Sequence, residues 1–126
     1  MIQRKTVLTH PTLPSIGPYS FGVKVGDLIF LSGQLGLDPT TNMLVLGGVE
    51  YQLRQIFKNV MEGLAAQELT LANIVKITVY MTDLSAFSVV NKVFTELLAE
   101  PYPARTTIEV SKLPLGAVIE LDFIVS

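Results

Sequence analysis

Apolar residues recur along this chain with two periods, and the switches between them mark out its elements. Phe21, Val23 and Val25 alternate with smaller or polar residues, as on a strand, where side chains take opposite faces in turn. Gly26-Asp27 follows as a two-residue turn of the II′ kind, with glycine first. Residues 28–31 return as a near-continuous apolar run, which predicts a strand buried on both faces; it ends at Ser32-Gly33-Gln34. Thr6-Val7-Leu8 reads as a short first strand ahead of a proline-rich loop running to Pro18. Turn residues cluster again over 38–42 and at Gly47-Gly48.

The period then lengthens. Val49, Leu53, Ile56, Phe57, Val60 and Leu64 fall on one helical stripe, with Met61 beside it. Glu50–Arg54 and Lys58–Glu62 are i, i+4 pairs on the outer face, each worth about 0.2–0.5 kcal/mol. A strand over 74–81 carries Val75, Ile77, Val79 and Met81 on one parity and Lys76, Thr78 and Tyr80 on the other. Asp83 or Ser85 can cap a second helix, whose stripe is Phe87, Val90, Phe94, Leu97 and Leu98 and which Pro101 terminates. Residues 105–111 and 117–125 read as two closing strands joined as a hairpin around Pro114 and Gly116. Strands, helix, strand, helix and hairpin predict an α+β domain, a mixed sheet with two helices covering one face.

Side-chain parity on the closing strands concentrates the polar chemistry. If Ile108 and Val110 share the core face with Ile119, Leu121 and Phe123, then Arg105, Thr107, Glu109, Glu120 and Asp122 fall together on the uncovered face. A guanidinium, a hydroxyl and several carboxylates on one face make a candidate site. Cross-strand ion pairing on a solvated face, worth up to about 1 kcal/mol, explains the same pattern.

Composition narrows the options. A length of 126 residues fits one domain over 1–126. The chain is 49% hydrophobic and 16% charged, against about 25% charged in an average soluble domain. Part of the apolar surface is therefore expected to lie between subunits. No apolar run reaches the ~18–20 residues of a membrane span, and the N-terminus has no apolar stretch after its charges, unlike a secretory signal. The absence of cysteine rules out disulfides, thiolate metal sites and a cysteine nucleophile, and suits a cytoplasmic protein. His10 is the only histidine, so a His-His metal site or histidine triad within one subunit is excluded; its position predicts an exposed or loop-packing side chain. A net charge of −2 argues against nucleic acid as a partner. Gly-rich cofactor loops, P-loops and zinc patterns are missing.

Pro103-Ala104-Arg105-Thr106, then Leu113-Pro114 and Ile119-Glu120-Leu121, resemble the signature of the RidA family. Gly17-Pro18-Tyr19-Ser20, Ser32-Gly33-Gln34, Gln52 with Arg54-Gln55, Val75-Lys76 with Thr78-Val79, and Val90-Asn91 extend the resemblance across almost the whole chain. It implies a chorismate-mutase-like fold, a homotrimer with sites between subunits, and hydrolysis of reactive enamines and imines such as 2-iminobutanoate and 2-iminopropanoate. In that reading Arg105 holds the substrate carboxylate and Glu120 activates water. Backbone near Gly33 and Thr107 orients the substrate, Tyr19 closes the cleft, and Ser32 and Asn91 lie beside it. No metal or organic cofactor is implied.

The chain also departs from the family pattern. Thr107 stands where several members carry cysteine, Phe21-Gly22 replaces a more polar pair at the pocket mouth, Gln67-Glu68 replaces a small residue and glycine, and Leu115 fills a position often charged. These bear on substrate preference rather than on reaction type. Two alternatives are an RNA-cleaving translation inhibitor, which would want a basic groove and stacking aromatics, and a trimer that binds small ligands or acts as a chaperone without turnover.

Overall fold

The computed structural model describes residues 5–126; residues 1–4, which open the stretch read as no secretory signal, lie outside the described residues. Six strands form one sheet in the order β1-β2-β3-β6-β4-β5: β1 Thr6–Leu8, β2 Gly22–Val25, β3 Leu28–Gln34, β4 Ile74–Met81, β5 Ala104–Glu109 and β6 Ile119–Val125. Two helices, α1 Val49–Ala65 and α2 Phe87–Leu97, cover one face. Val25 pairs with Leu28 across Gly26-Asp27, and the positive φ of 60° at Gly26 is the conformation that turn requires of its first residue.

The core lies where the α1 stripe predicted; on α2, Phe87 of the expected stripe is 41% exposed and Val93 is buried in addition to Val90 and Phe94. Leu53, Ile56, Phe57, Val60 and Leu64 of α1 and Val90, Val93 and Phe94 of α2 bury against Ile77, Val79, Ile119, Leu121 and Phe123 of the sheet. The Phe57 ring meets Phe94 and Phe123 edge-on, with centroids 5.4 and 6.2 Å away. Full burial of such a side chain stabilises the fold by roughly 1.5–3 kcal/mol. Outside, Arg54 bridges Glu50 at 3.0 Å and Glu96 at 2.6 Å, while Lys92 approaches Glu50 at 3.4 Å. This network ties α1 to α2, although each exposed pair contributes only about 0–1 kcal/mol. Among the described residues Lys58 and Glu62 form no ion pair.

Two expectations fail at the sheet. The closing strands are not a hairpin. The β4–α2–β5 connection is a crossover of the length that parallel pairing needs, and it sets β5 parallel to β4 at the sheet edge. β6 then enters antiparallel between β3 and β4. The parity of β5 is therefore set by β4, with Arg105 beside Ile77 and Thr107 beside Val79 on the helix-covered face. Ile108 instead stands beside Tyr80 on the open face, 40% exposed. Nor is β3 buried on both faces. Ile29 and Leu31 are in the core, but Leu28 and Phe30 are over 40% exposed on the open face. An apolar open face defeats any rule that assigns apolar side chains to the core.

His10 is buried and fully used. Its Nε2–H donates to the Asn59 carbonyl at 2.7 Å, and Nδ1 accepts from the backbone N–H groups of Thr12 (3.2 Å) and Leu13 (3.0 Å). The ring also packs edge-on against Phe21 at 5.1 Å. Both rings crowd Gly63 on α1, where a Cβ would overlap Phe21. This contact anchors the proline-rich loop that leads to Tyr19.

Candidate functional site

Glu120 stands on β6 opposite Tyr80 of β4, on the open face of the sheet. The β3–β6 register shifts between Leu31 and Gln34, and this bulge brings the Gly33 backbone against the Glu120 carboxylate. A methyl group at 33 would overlap Glu120 Oε2, so only glycine allows this approach. Ser32 Oγ donates to the Ser20 carbonyl at 2.6 Å, and Ser32 N–H donates to the Phe21 carbonyl at 2.9 Å. These bonds fasten the loop that carries the half-exposed Tyr19 beside the same cleft. The resulting cavity, about 340 Å³, is lined by Ile16, Tyr19, Ser32, Gly33, Pro114 and Glu120. Gln52, buried on α1, accepts from the Val118 N–H at 3.0 Å and pins the approach to β6.

Burial, and secondarily the neighbouring Asp122 carboxylate, push the Glu120 carboxyl above the ordinary carboxylate range. No cation contacts Glu120 among the described residues. Such a carboxylate is a competent base with its oxygens free for a water.

Arg105 belongs to a second cluster. Its guanidinium carbon lies 5.1 Å from the Phe87 ring centroid and 5.2 Å from that of Phe94, so two aromatic faces of α2 hold the cation. With Asn91, Phe94, Thr95, Tyr102 and Pro103 it lines a cavity of about 280 Å³. Burial lowers the Arg105 pKa, yet an arginine remains cationic at neutral pH. Among the described residues it has no carboxylate partner. Thr107, two residues along on the same face, has a buried Oγ1 with no hydrogen-bond partner.

The predicted site residues thus divide into two groups. Tyr19, Ser32, Gly33 and Glu120 meet in one cleft, whereas Arg105, Thr107 and Asn91 lie on the helix side of β5. The shared face expected for Arg105, Thr107 and Glu120 is not formed, because β4 separates their strands and fixes opposite parities. Phe21, expected at a pocket mouth, is buried, and it lines a small hollow together with Tyr19 and Gly33. Sequence reasoning named Gln52 only as a motif residue and Phe87 and Phe94 only as core positions, and assigned none of them a role at a site. Gln52 carried a usable signal, a polar side chain beside Leu53 on the buried stripe of α1.

The family described as Endoribonuclease L-PSP matches residues 9–126. A 2-iminobutanoate/2-iminopropanoate deaminase of Bos taurus is 40% identical over 121 residues, covering 96% of this chain and 88% of that protein. The crystal structure of RidA from the Antarctic bacterium Psychrobacter sp. PAMC 21119 superposes with a TM-score of 0.89 at 43% identity, covering 97% of this chain and 98% of that one. The chain is a member of the RidA family. E. coli TdcF, solved with bound serine, superposes with a TM-score of 0.85 at 34% identity, covering 95% and 97% of the two chains.

The RidA motifs are spread over both clusters. Gly17–Ser20 motif residues, Ser32-Gly33 and Glu120 surround one cleft, while Pro103, Arg105 and Asn91 surround the other. No helix among the described residues is long and apolar enough to cross a membrane, and no metal-ligating group of three or more side chains occurs among them.

Proposed function

We propose that the chain is a cofactor-independent deaminase of reactive 2-imino acids, of the 2-iminobutanoate/2-iminopropanoate type, acting in the cytoplasm as a homotrimer. One observation carries the reading: Arg105 and Glu120 are each half-buried in a cleft and each lacks an oppositely charged partner among the described residues. A charge held without a partner is costly, and a substrate can supply what each lacks. The two clusters cannot serve one substrate within one chain, so the complete site takes the Arg105 cluster of one copy and the Glu120 cluster of the next. The open face offers an apolar docking surface in Phe30, Leu28 and Ile108, consistent with the low charge fraction. The bovine 2-iminobutanoate/2-iminopropanoate deaminase and serine-bound TdcF support an amino-acid-like ligand.

Arg105 presents a planar fork to the substrate carboxylate, bidentately, with the Thr107 hydroxyl and Asn91 beside it. Glu120 holds a water against the Gly33 backbone and takes its proton as the oxygen bonds to the iminium carbon. The electron pair of the C=N bond moves to nitrogen, giving a carbinolamine. Glu120 then passes the proton to that nitrogen; as the C–N bond breaks and ammonia leaves, the hydroxyl oxygen forms the carbonyl and gives its proton back to Glu120, which releases it to water and leaves a 2-oxo acid. An iminium is already electrophilic, so positioning and one carboxylate suffice.

A ribonuclease reading, which the family description names, finds less support. The single histidine has both ring nitrogens engaged by backbone groups, which leaves no histidine acid or base. The deciding measurement is ammonia release with imine generated in situ by a threonine dehydratase. Acceleration over the uncatalysed rate, reduced on the order of 10²–10⁴-fold by Glu120→Gln, is the expected result; binding without acceleration would leave a ligand-binding trimer.

A further inference from the structure

Beside Glu120, the open face carries a second acid and a phenol that the reaction as derived does not use. Asp122 follows Glu120 by two residues on β6, so both side chains leave the same face. Tyr80 stands directly opposite Glu120 on β4, and its hydroxyl donates across the diagonal to Asp122 Oδ2 at 2.8 Å. Lys76, the cation on the same face of β4, gives its ammonium to Thr106 Oγ1 at 3.0 Å on β5. Among the described residues no cation therefore pairs with the Asp122 carboxylate beside Glu120.

We propose that Asp122, oriented by Tyr80, is a positioning residue that keeps Glu120 a strong enough base to take a proton from water. The inference rests on the reading of Glu120 as the base. A carboxylate made only of desolvated oxygens is hard to ionise. One beside a fixed like charge holds a proton more tightly still, and a tighter hold on the proton is a stronger base. Tyr80 matters because a free aspartate would turn away toward water or toward Lys76, and the bond to the phenol keeps its charge on this face. The same bond raises the Tyr80 pKa, so the phenol remains a neutral donor. The remaining groups facing Glu120 are Tyr19 from the loop before β2 and Ser32 from β3, and, in the proposed assembly, a second copy's Arg105. Of all these, Asp122 alone is a carboxylate.

Asp122→Asn tests the charge by itself, since the amide oxygen still accepts from Tyr80. Carboxyl carbon NMR follows the titration of Glu120, whose resonance is identified by its loss in Glu120→Gln. In the intact oligomer of Asp122→Asn the Glu120 midpoint should move to lower pH. The acid limb of kcat/KM should move with it, while the plateau falls about two- to tenfold as the base weakens. In a Tyr80→Phe background, the difference between Asp and Asn at 122 should shrink. Should Asp122→Asn not fold, Asp122→Ser provides the neutral side chain. An unmoved midpoint, or a moved midpoint with unchanged limb and plateau, overturns the role of Asp122 while Glu120→Gln still abolishes turnover. Full turnover in Glu120→Gln would instead remove the base itself, and this role with it.

Discussion

Arg105 and Glu120 lie on opposite faces of one sheet. Arg105 stands beside Ile77 on the face that α2 covers, and Glu120 beside Tyr80 on the face left open. Tyr80 lies three positions after Ile77 on β4, an odd offset, which alone places their neighbours on different sides. If both act on one substrate, the active site spans two copies of the chain.

That geometry predicts complementation. Homo-oligomers of Arg105→Ala and of Glu120→Gln should each be nearly inactive. Dissociating and reassembling an equal mixture should restore activity to about one quarter of wild type, because a quarter of the sites pair an intact Arg105 with an intact Glu120. Ammonia release before and after reassembly measures it. No recovery in mixed oligomers would mean that the two residues act within one chain or in separate roles.

Arginine's fork, rather than its charge, should be what position 105 requires. Lysine keeps the charge and loses bidentate geometry, so Arg105→Lys should fail almost as badly as Arg105→Ala. Loss of a charge-assisted hydrogen bond costs about 1.5–3 kcal/mol, roughly 10–150-fold in kcat/KM. If the clamp between Phe87 and Phe94 were only structural, lysine would largely rescue alanine and the damage would appear in the melting temperature.

Both helices and the buried face of β6 were legible in the chain, because Leu53, Ile56, Phe57, Val60 and Leu64, and Ile119, Leu121 and Phe123, each repeat with a single period on the core side. β5 was not legible. Its inward positions are Arg105 and Thr107, and its outward Ile108 lies on an open face that Phe30 and Leu28 also make apolar. Polarity at an edge strand therefore reports assembly and ligand as much as core. Pairing was hidden for another reason: nothing local in 105–125 states that β6 prefers β3 and β4 to its neighbour in sequence. The residues of the Glu120 cleft emerged from motif resemblance, not from periodicity, since Tyr19 and Gly33 sit at a loop and a bulge.

The His10 contact predicts a large stability loss for a loop residue. His10→Ala strips partners from the Asn59 carbonyl and from the N–H groups of Thr12 and Leu13. Unsatisfied buried polar groups cost about 1–3 kcal/mol each, so the urea midpoint should fall by the equivalent of about 2 kcal/mol or more. Activity should fall as well, because the loop that bears Tyr19 loses its anchor. An unchanged midpoint would mean that water replaces the ring.

Glu120 should lower stability at the pH where it works. Burial, then Asp122, raise its carboxyl above the ordinary value of 4.5. The folded chain therefore binds this proton more readily than the unfolded chain, and stability falls as pH rises through the interval between the two pKa values. Below the unfolded pKa the acid is neutral in both states and imposes no such cost; above the folded pKa the full cost is present. Glu120→Gln, neutral at every pH, removes it. The variant should melt higher than wild type near neutrality, and the gap should close as pH falls through the carboxylate range. Thermal melts of both proteins from about pH 8 to about pH 4 measure this. A variant that melts lower at neutral pH would reverse the sign, and would mean that a cation, such as a second copy's Arg105, already pairs with Glu120 in the resting assembly.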